Sequence, residues 1–346
     1  MSDRIDVSVV ISTYNRCDTL AGALESVLAQ ETGPVTYEVI VVDNNSTDRT
    51  RQVVERISAR GHGHLRYVFE GRQGLSHARN TGIAHARASI VAFTDDDVRV
   101  APDWIVAIKR ALDAHPEVDY VGGRVLPRWP AAPPAWLTPD HWSPMALTDF
   151  GDAPIYVNAE TQYCLIGANL AFRRQVFDRI GLFAPDFQRV KDGIGSTEDH
   201  ELQLRLWNAQ RQGIYVPEIV VTAEVEPRRM TRRYHRRWHT GHGYFYAAMR
   251  VPELETSTVR LFDVPGHLYR YAVGEARAWL TYQLRGDREA AFHCENRLRF
   301  FAGYWRERRS DYLAAHGHGT LRELVRFATS VVAKRFAART SAPPPP

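Results

Sequence analysis

The sequence predicts an α/β fold in which a mostly parallel β-sheet is covered by helices on both faces. Short apolar runs of strand length recur through the first part of the chain, at residues 7–12, 38–42, 65–69 and 89–94. Segments with the apolar spacing of helices, among them residues 20–30 and 78–86, separate these runs. Because strands that alternate with helices form βαβ units, we expect a parallel sheet that is buried on both sides.

The composition is typical of a soluble globular protein. Of the 346 residues, 44% are hydrophobic and 24% are charged, which excludes a disordered chain, a collagen and a coiled-coil rod. The N-terminus does not resemble a signal peptide, and no apolar run is long enough to span a bilayer. Three scattered cysteines match neither a disulfide framework nor a zinc site. We therefore expect a cytoplasmic protein.

The charge is divided unevenly along the chain. Residues 226–346 contain 22 Lys and Arg against 11 Asp and Glu, whereas residues 1–225 contain 22 against 29. Such an asymmetry predicts different partners for the two parts. We expect an α/β domain over residues 1–225, a basic helical extension over residues 226–338, and a disordered tail over residues 339–346.

An acidic run follows the fourth predicted strand. Asp95, Asp96 and Asp97 are adjacent, and neighbouring carboxylates repel one another unless a cation lies among them. If the strand geometry continues, Asp95 and Asp97 point to one side and Asp96 to the other. Two carboxylates on one side suit Mg²⁺ or Mn²⁺ and leave positions open for a diphosphate. A solvated turn before the next helix is the alternative.

Polar residues also follow the first two strands. Asp43 is placed to accept a hydrogen bond from a base N–H or a ribose hydroxyl, and Ser46 or Thr47 is expected to cap the next helix. The turn after the first strand, with Tyr14, could line a nucleotide. Because no Gly-x-Gly-x-x-Gly motif or Walker lysine follows a strand, dinucleotide and P-loop binding are not expected.

Two predicted helix starts carry charged side chains. Residues 71–80 combine a glycine turn with Arg79 one turn into a helix, which suits either phosphate oxygens or an ordinary surface helix. Thr197 is expected to cap a second helix, which begins with Glu198 and Asp199. A carboxylate at that position either stabilises the positive helix end or serves as a general base on a hydroxyl.

Together, five motifs resemble the inverting family 2 glycosyltransferases of Rossmann-like GT-A fold. They are Val-Ser-Val-Val-Ile-Ser-Thr-Tyr-Asn-Arg at residues 7–16, Val-Val-Asp-Asn-Asn-Ser-Thr-Asp at 41–48, Ala-Arg-Asn-Thr-Gly at 78–82, Phe-Thr-Asp-Asp-Asp at 93–97 and Thr-Glu-Asp-His-Glu-Leu at 197–202. Their order and spacing make the resemblance specific over residues 5–225. It implies a GT-A sheet flanked by helices, with a C-terminal helical extension.

The resemblance also implies roles for individual residues. Those that border a uridine-type nucleotide would be Thr13, Tyr14, Arg16 and Asp43. Those near the rest of the donor would be Arg79 at the base or diphosphate, Asp96 at the ribose, and Asn169 at the donor–acceptor pocket. Asp95 and Asp97 would form the Asp-x-Asp pair, with Asp97 the direct ligand of Mn²⁺ or Mg²⁺. Asp199 would be the catalytic base, and Glu198 would help to bind the acceptor.

The chain departs from the family pattern at two places. Many relatives carry a histidine after the last sheet strand that approaches the metal, whereas this chain has Glu224 there, between Ala223 and Val225. Glu224 could ligate the metal instead, or the third protein ligand could be absent. The Gln-x-x-Arg-Trp motif of processive members is also missing, which disfavours a long-chain synthase.

The basic C-terminal third allows several interpretations. Arginines at residues 228–237, or His239 and His242, could reach the diphosphate leaving group, contact anionic lipid, or form a solvated helix face. Nucleic acid is not expected, because the body of the protein is acidic and no nucleic-acid motif is present. Residues 321–336 are amphipathic and could lie on a bilayer, so peripheral contact with the inner face of the cell membrane is left open.

The sequence thus predicts a metal-dependent, non-processive transferase. It would move a sugar, with inversion, from a nucleoside-diphosphate donor of the UDP type to a hydroxyl of a glycan, lipid-linked or small-molecule acceptor, in glycan, glycolipid or cell-envelope polysaccharide synthesis. The alternatives are a nucleotidyltransferase, which would normally need a glycine-rich loop after the first strand, and a non-catalytic sugar-nucleotide-binding protein. The donor sugar, the acceptor and the oligomeric state are left undetermined.

Overall fold

The computed structural model describes residues 5–188 and 197–317. The chain divides into two compact units, Met1–Thr231 and Arg232–Pro346. This division comes a few residues after the boundary expected between Val225 and Glu226. The amphipathic segment expected at residues 321–336 and the tail expected at residues 339–346 lie outside the described residues.

The first unit is built on one mixed sheet. Its strands are β1 (Val7–Thr13), β2 (Tyr37–Asp43), β3 (Leu65–Phe69), β4 (Ile90–Asp95), β5 (Val98–Val100), β6 (Tyr120–Arg128), β7 (Ile155–Val157), β8 (Asn169–Arg173) and β9 (Gly213–Glu224). The helices of this unit are α1 (Cys17–Leu28), α2 (Thr50–Ser58), α3 (Leu75–His85), α4 (Trp104–Ala114), α5 (Gln175–Ile180) and α6 (Glu198–Asn208).

The strand order is β3-β2-β1-β4-β8-β6-β9-β5, and β7 pairs with β9 away from this path. Strands β1, β2, β3, β4, β6 and β9 run in one direction, and β5, β7 and β8 run in the opposite one. The expected mostly parallel sheet, flanked by helices, is confirmed.

Helices cover both faces of the sheet. Along β1, Val9 and Ile11 join the core that contains the apolar faces of α1, α2 and α4, whereas Val10 joins the core beneath α3, α5 and α6. Successive strand residues point to opposite faces, so a strand covered on both sides is apolar throughout. This is why all residues from 7 to 11 except Ser8 are apolar.

Two local predictions are wrong. The apolar pattern of residues 164–172 predicts a strand, yet β8 begins only at Asn169, because the Gln203 side chain binds both the N–H and the C=O of Leu165 and holds that segment as a loop. The helix cap expected at Ser46 or Thr47 is absent, since Arg49 occupies the N-cap position of α2 without a side-chain capping hydrogen bond, and Asp48 precedes it. The Asp48 Oδ1 accepts hydrogen bonds from the backbone N–H and the hydroxyl of Thr50, the first residue of α2.

The second unit is described up to Gly317. It contains α7 (Arg232–Met249), α8 (Gly266–Arg285), α9 (Arg288–His316) and a short hairpin of β10 (Arg260–Leu261) and β11 (Val264–Pro265). Helices α7 and α9 approach closely, since a Cβ on Gly243 or Gly303 would lie 1.9 Å from a carbonyl oxygen of the other helix. None of the helices in the described part of the chain has both the length and the apolar character needed to cross a membrane.

Glu70 anchors the turn between β3 and α3. Its Oε1 accepts from the Arg72 N–H at 2.7 Å, and its Oε2 accepts from Arg72 Nη2 at 2.9 Å and from Thr81 Oγ1 at 2.5 Å. Hydrogen bonds from the Arg72 side chain, partly offset by burial, lower the pKa of Glu70 to about 2. The turn leads directly into α3.

The substitution Glu70→Gln is expected to lower the free energy of unfolding by about 1–2 kcal/mol at neutral pH, because it removes the charged partner of Arg72. The effect is modest because Arg72 is largely exposed and water screens the pair. The carboxylate has a pKa of about 2 when folded and about 4.5 when unfolded. Its contribution is therefore complete above the higher value and decreases as the pH falls towards the lower one. Melting temperatures of both proteins as a function of pH measure this difference.

The matched control is Glu55→Gln, which removes the exposed i,i+4 partner of Arg51 on α2. This variant should change the melting temperature little at any pH. A difference between wild type and Glu70→Gln that stays constant down to strongly acidic pH would contradict the assignment.

Candidate active site

The carboxyl ends of β1, β2 and β4 meet at one edge of the sheet. In the parallel register Thr13 lies opposite Asp43, and Ser12 lies opposite Asp95. Ligands of open α/β sheets bind at this edge. The polar segments that follow the three strands are therefore neighbours.

The Arg16 guanidinium holds the acidic turn that follows β4. Its Nη1 lies 2.5 Å from Asp97 Oδ2 and 3.3 Å from Asp96 Oδ1, and its Nη2 lies 2.9 Å from Glu226 Oε1. Burial raises the pKa of the Asp96 carboxyl, an effect that Arg16 opposes and Asp97 reinforces. One cation thus balances carboxylates from two separate segments of the chain.

The alternation predicted along the acidic run is wrong. Asp96 and Asp97 form a turn between β4 and β5 rather than continuing the strand, so both of them reach Arg16. Asp95 ends β4, and its Oδ1 lies 3.7 Å from Arg79 Nη2. The roles of Asp95 and Asp97 as an Asp-x-Asp pair stay predictions.

Arg79 lies in the protein interior rather than at a surface helix start. Its side chain is 4% exposed, and its Nη1 lies 2.7 Å from Glu198 Oε1. The guanidinium also lies against the rings of Phe93 and Phe183, 6.0 and 5.3 Å from their centroids. Together with the Asp95 contact, this arrangement links the end of β4 to the start of α6.

Asp199 occupies the first turn of α6, beside the buried Glu198. Its Oδ2 accepts a hydrogen bond of 2.9 Å from the Gly167 N–H, and its Oδ1 accepts one of 2.8 Å from the His200 N–H. The side chain of Thr197 makes no capping hydrogen bond, so the cap expected there is absent. The Asp199 carboxylate is held in one orientation by backbone donors and is only partly buried.

Asp43 organises the turn after β2. Its Oδ1 accepts from the Ser46 N–H at 2.9 Å, and its Oδ2 accepts from the Tyr67 hydroxyl at 2.7 Å. Asp43 and Thr13 are buried, whereas Tyr14 is half-buried and lines a cavity. Of these three residues expected to border a nucleotide, Tyr14 therefore offers the most accessible surface.

Asn169 lies in the core. It is 1% exposed, its Oδ1 accepts from Trp104 Nε1, and its Nδ2 donates to the carbonyl oxygens of Arg124 and Ile219. These bonds satisfy the amide at the junction of three strands. The side chain, expected at the donor–acceptor pocket, instead joins parts of the scaffold.

A cavity of about 630 Å³ opens beside the acidic turn. It brings together the turn after β1, the end of β6 and the segment after β9. The residues that line it are Tyr14, Asn15, Arg16, Thr19, Asp97, Arg128, Trp129, Pro130, Glu224, Val225, Glu226, Pro227 and Arg228. Aromatic rings, cations and carboxylates therefore share one concave surface within the first unit.

Glu226 is a charged cavity residue that the sequence interpretation missed. Glu224, considered as a metal ligand, also lines the cavity, and its Oε1 lies 3.4 Å from Arg99 Nη2 and 3.8 Å from Arg128 Nη1. Glu226 is the carboxylate that reaches Arg16. The signal that could have found it is the period of two in extended chain, which puts residues 224 and 226 on the same side.

His239 and His242 lie on α7, in the second unit. The His242 ring stacks on Trp238 and also packs against Tyr246, with both centroid distances 4.3 Å. A role of either histidine towards a diphosphate stays a prediction.

Comparison with known proteins agrees with the fold and the motifs. The sequence model of glycosyl transferase family 2 matches residues 8–181. The chain is 30% identical over 199 residues to the glucosyl-dolichyl phosphate glucuronosyltransferase of Haloferax volcanii. The aligned segment covers 56% of this chain and 60% of that protein. The chain thus matches less than two thirds of the length of that relative.

Two solved structures share the fold. The TarS fragment 1–349 of S. aureus, determined with UDP, has a TM-score of 0.52 at 17% identity and covers 88% of this chain and 92% of its own. The mannosyltransferase PcManGT of Pyrobaculum calidifontis, determined with GDP-Man and Mn²⁺, has a TM-score of 0.54 at 22% identity and covers 96% and 81%. The expected GT-A fold is confirmed, and with the family match over half of the sequence, the chain belongs to glycosyl transferase family 2.

Proposed function

We propose that the protein transfers a sugar, with inversion, from a nucleoside-diphosphate donor to a hydroxyl acceptor, with Asp199 as the catalytic base. One observation carries this proposal. Arg79 contacts both Asp95, at the end of β4, and Glu198, the neighbour of Asp199. Arg79 therefore links the residue beside the proposed base to the end of the strand that leads into the acidic turn.

The cavity supports a nucleoside diphosphate as the donor. Tyr14 offers a ring for a base, and Arg16, Arg128 and Arg228 offer cations for phosphate oxygens. Related structures have been determined with UDP and with GDP-Man. A UDP-type donor is our first choice, because the family resemblance implies a uridine nucleotide.

The acidic turn suits a hard divalent cation. Carboxylate oxygens are the ligands that Mg²⁺ and Mn²⁺ prefer, and Asp97 lines the cavity. Among residues 5–188 and 197–317, no group of three or more His, Cys, Asp or Glu side chains is arranged to hold a metal. We propose Asp97 as the direct protein ligand of the cation and Asp95 as the second carboxylate of the Asp-x-Asp pair. When bound, the cation supplies positive charge that stabilises the departing diphosphate.

In the proposed reaction one proton is transferred, one bond forms and one bond breaks. Asp199 takes the proton of the acceptor hydroxyl while that oxygen attacks the anomeric carbon from the side opposite the donor diphosphate. The bond between the anomeric carbon and the diphosphate oxygen breaks, and the diphosphate leaves with the electron pair. The Gly167 N–H and Arg79, through Glu198, hold the base in position, so that less reorganisation is needed during the reaction.

The substitution Asp199→Asn is expected to reduce the transfer rate by at least about a hundredfold, because the amide cannot accept the acceptor proton. Donor binding in the presence of Mn²⁺ should change little. The measurement is release of the nucleoside diphosphate from a panel of UDP- and GDP-sugars, with calorimetry for donor binding. Release of sugar 1-phosphate, with the nucleoside monophosphate transferred to an acceptor, would indicate a nucleotidyltransferase instead.

The matched control on the same helix is Glu201→Gln. Glu201 pairs with Arg205 one turn later, so its loss should leave transfer nearly unchanged. Full transferase activity in Asp199→Asn would remove Asp199 as the base. Loss of donor binding in that variant would indicate a role in the donor site.

A second prediction concerns the space around Arg79. A Cβ on Gly167 would lie 2.5 Å from Arg79 Nη2, so Gly167→Ala must displace the guanidinium from its position between Glu198 and Asp95. We expect the transfer rate to fall by roughly tenfold or more, since misplacement of a catalytic group is costly, and the melting temperature to fall as well, since the buried charge loses part of its compensation.

The control is Gly63→Ala, because no heavy atom lies within 4 Å of the added Cβ. Both variants are compared by melting temperature and by initial rate at saturating donor. Equal rates for Gly167→Ala and wild type would show that the position of Arg79 does not govern the base.

A further inference from the structure

A stripe of apolar side chains is exposed along α8. It consists of Val273, Ala276, Leu280 and Leu284, spaced three or four residues apart on one helix face. Val273 is 52% exposed, Leu280 is 53% exposed and Leu284 is 81% exposed. The buried residues of this helix are Leu268 and Ala272, and Leu268 belongs to the apolar core of the second unit. We call these four residues the α8 stripe.

Cations border the α8 stripe. Arg270 and Arg277 are exposed and stand three residues before Val273 and Leu280, so each lies next to an apolar side chain of the stripe. Arg285 follows Leu284 and is also exposed. The acidic residue of α8, Glu275, is turned to Arg297 on α9, with the two charged groups 2.8 Å apart. The solvent face of α8 is therefore apolar along its middle and positive along its edge.

We propose that the α8 stripe docks onto the surface of an anionic lipid bilayer. A helix with an apolar face and flanking arginines lies in the plane of the membrane surface, where its leucines enter the acyl boundary and its cations meet the phosphate groups of the lipids. This inference is independent of the proposed transfer reaction. It concerns only residues of the second unit.

The charge pattern favours lipid over a second copy of the chain. If two α8 stripes packed face to face, Arg270 and Arg277 of both copies would be brought to one interface. The acidic side chain of the helix, Glu275, is already engaged by Arg297 and would not offset them. An anionic membrane supplies the opposite charge together with an apolar layer.

The test is co-sedimentation of the full chain with vesicles of phosphatidylcholine, with and without phosphatidylglycerol. We expect binding only when phosphatidylglycerol is present, and weaker binding at high salt. The double variant Arg270→Gln/Arg277→Gln should weaken binding by roughly tenfold or more. The double variant Leu280→Ser/Leu284→Ser should weaken it by roughly tenfold or more as well, because the leucines no longer enter the acyl boundary.

Two controls match these changes in the first unit. Arg56→Gln/Arg60→Gln removes two exposed arginines from α2 and the residues after it, and Leu182→Ser removes an exposed leucine from a loop. Both should bind vesicles like the wild type. Wild-type affinity in the Leu280→Ser/Leu284→Ser variant would overturn the proposal. So would a concentration-dependent dimer, measured by light scattering, that this variant abolishes while vesicle binding persists.

Discussion

The buried guanidinium of Arg79 is the interaction on which the candidate active site depends. A charge in the protein interior is tolerated only when a counter-charge and hydrogen bonds compensate it, and removal of one partner typically costs about 3–5 kcal/mol. Arg79 meets Glu198 at 2.7 Å and Asp95 at 3.7 Å. These two ion pairs therefore hold the start of α6 against the end of β4. Asp199 lies beside them because it follows Glu198 in α6.

Arg16 plays the same part on the cavity side. Its guanidinium lies among Asp96, Asp97 and Glu226, which would otherwise repel one another. Because this compensation comes from the chain itself, the acidic turn is ordered before any ligand binds. Charged groups that are already held in position need little reorganisation during a reaction.

Much of this site could be anticipated from local patterns, and some of it could not. Apolar runs located the strands, so the polar residues after them were expected at one edge, and the parallel register places Thr13 beside Asp43 and Ser12 beside Asp95. The side-chain partners were harder to predict. Asn169 was expected at a pocket, yet its amide ties together β6, β8 and β9 through contacts with backbone segments that are distant in sequence.

The alternation of strands and helices and, through the five motifs, the family to which the chain belongs can be predicted from the sequence. These properties depend on residues that are close together along the chain, where hydrophobic period and turn chemistry act locally. Which charged side chains pair with one another depends on the tertiary structure. Arg79 and Glu198 are separated by 119 residues, and Arg16 and Glu226 by 210. The energy of an ion pair is large only when the two charged groups are a few ångströms apart. The packing of the sheet and its helices therefore determines which groups pair, and no local sequence pattern predicts that packing.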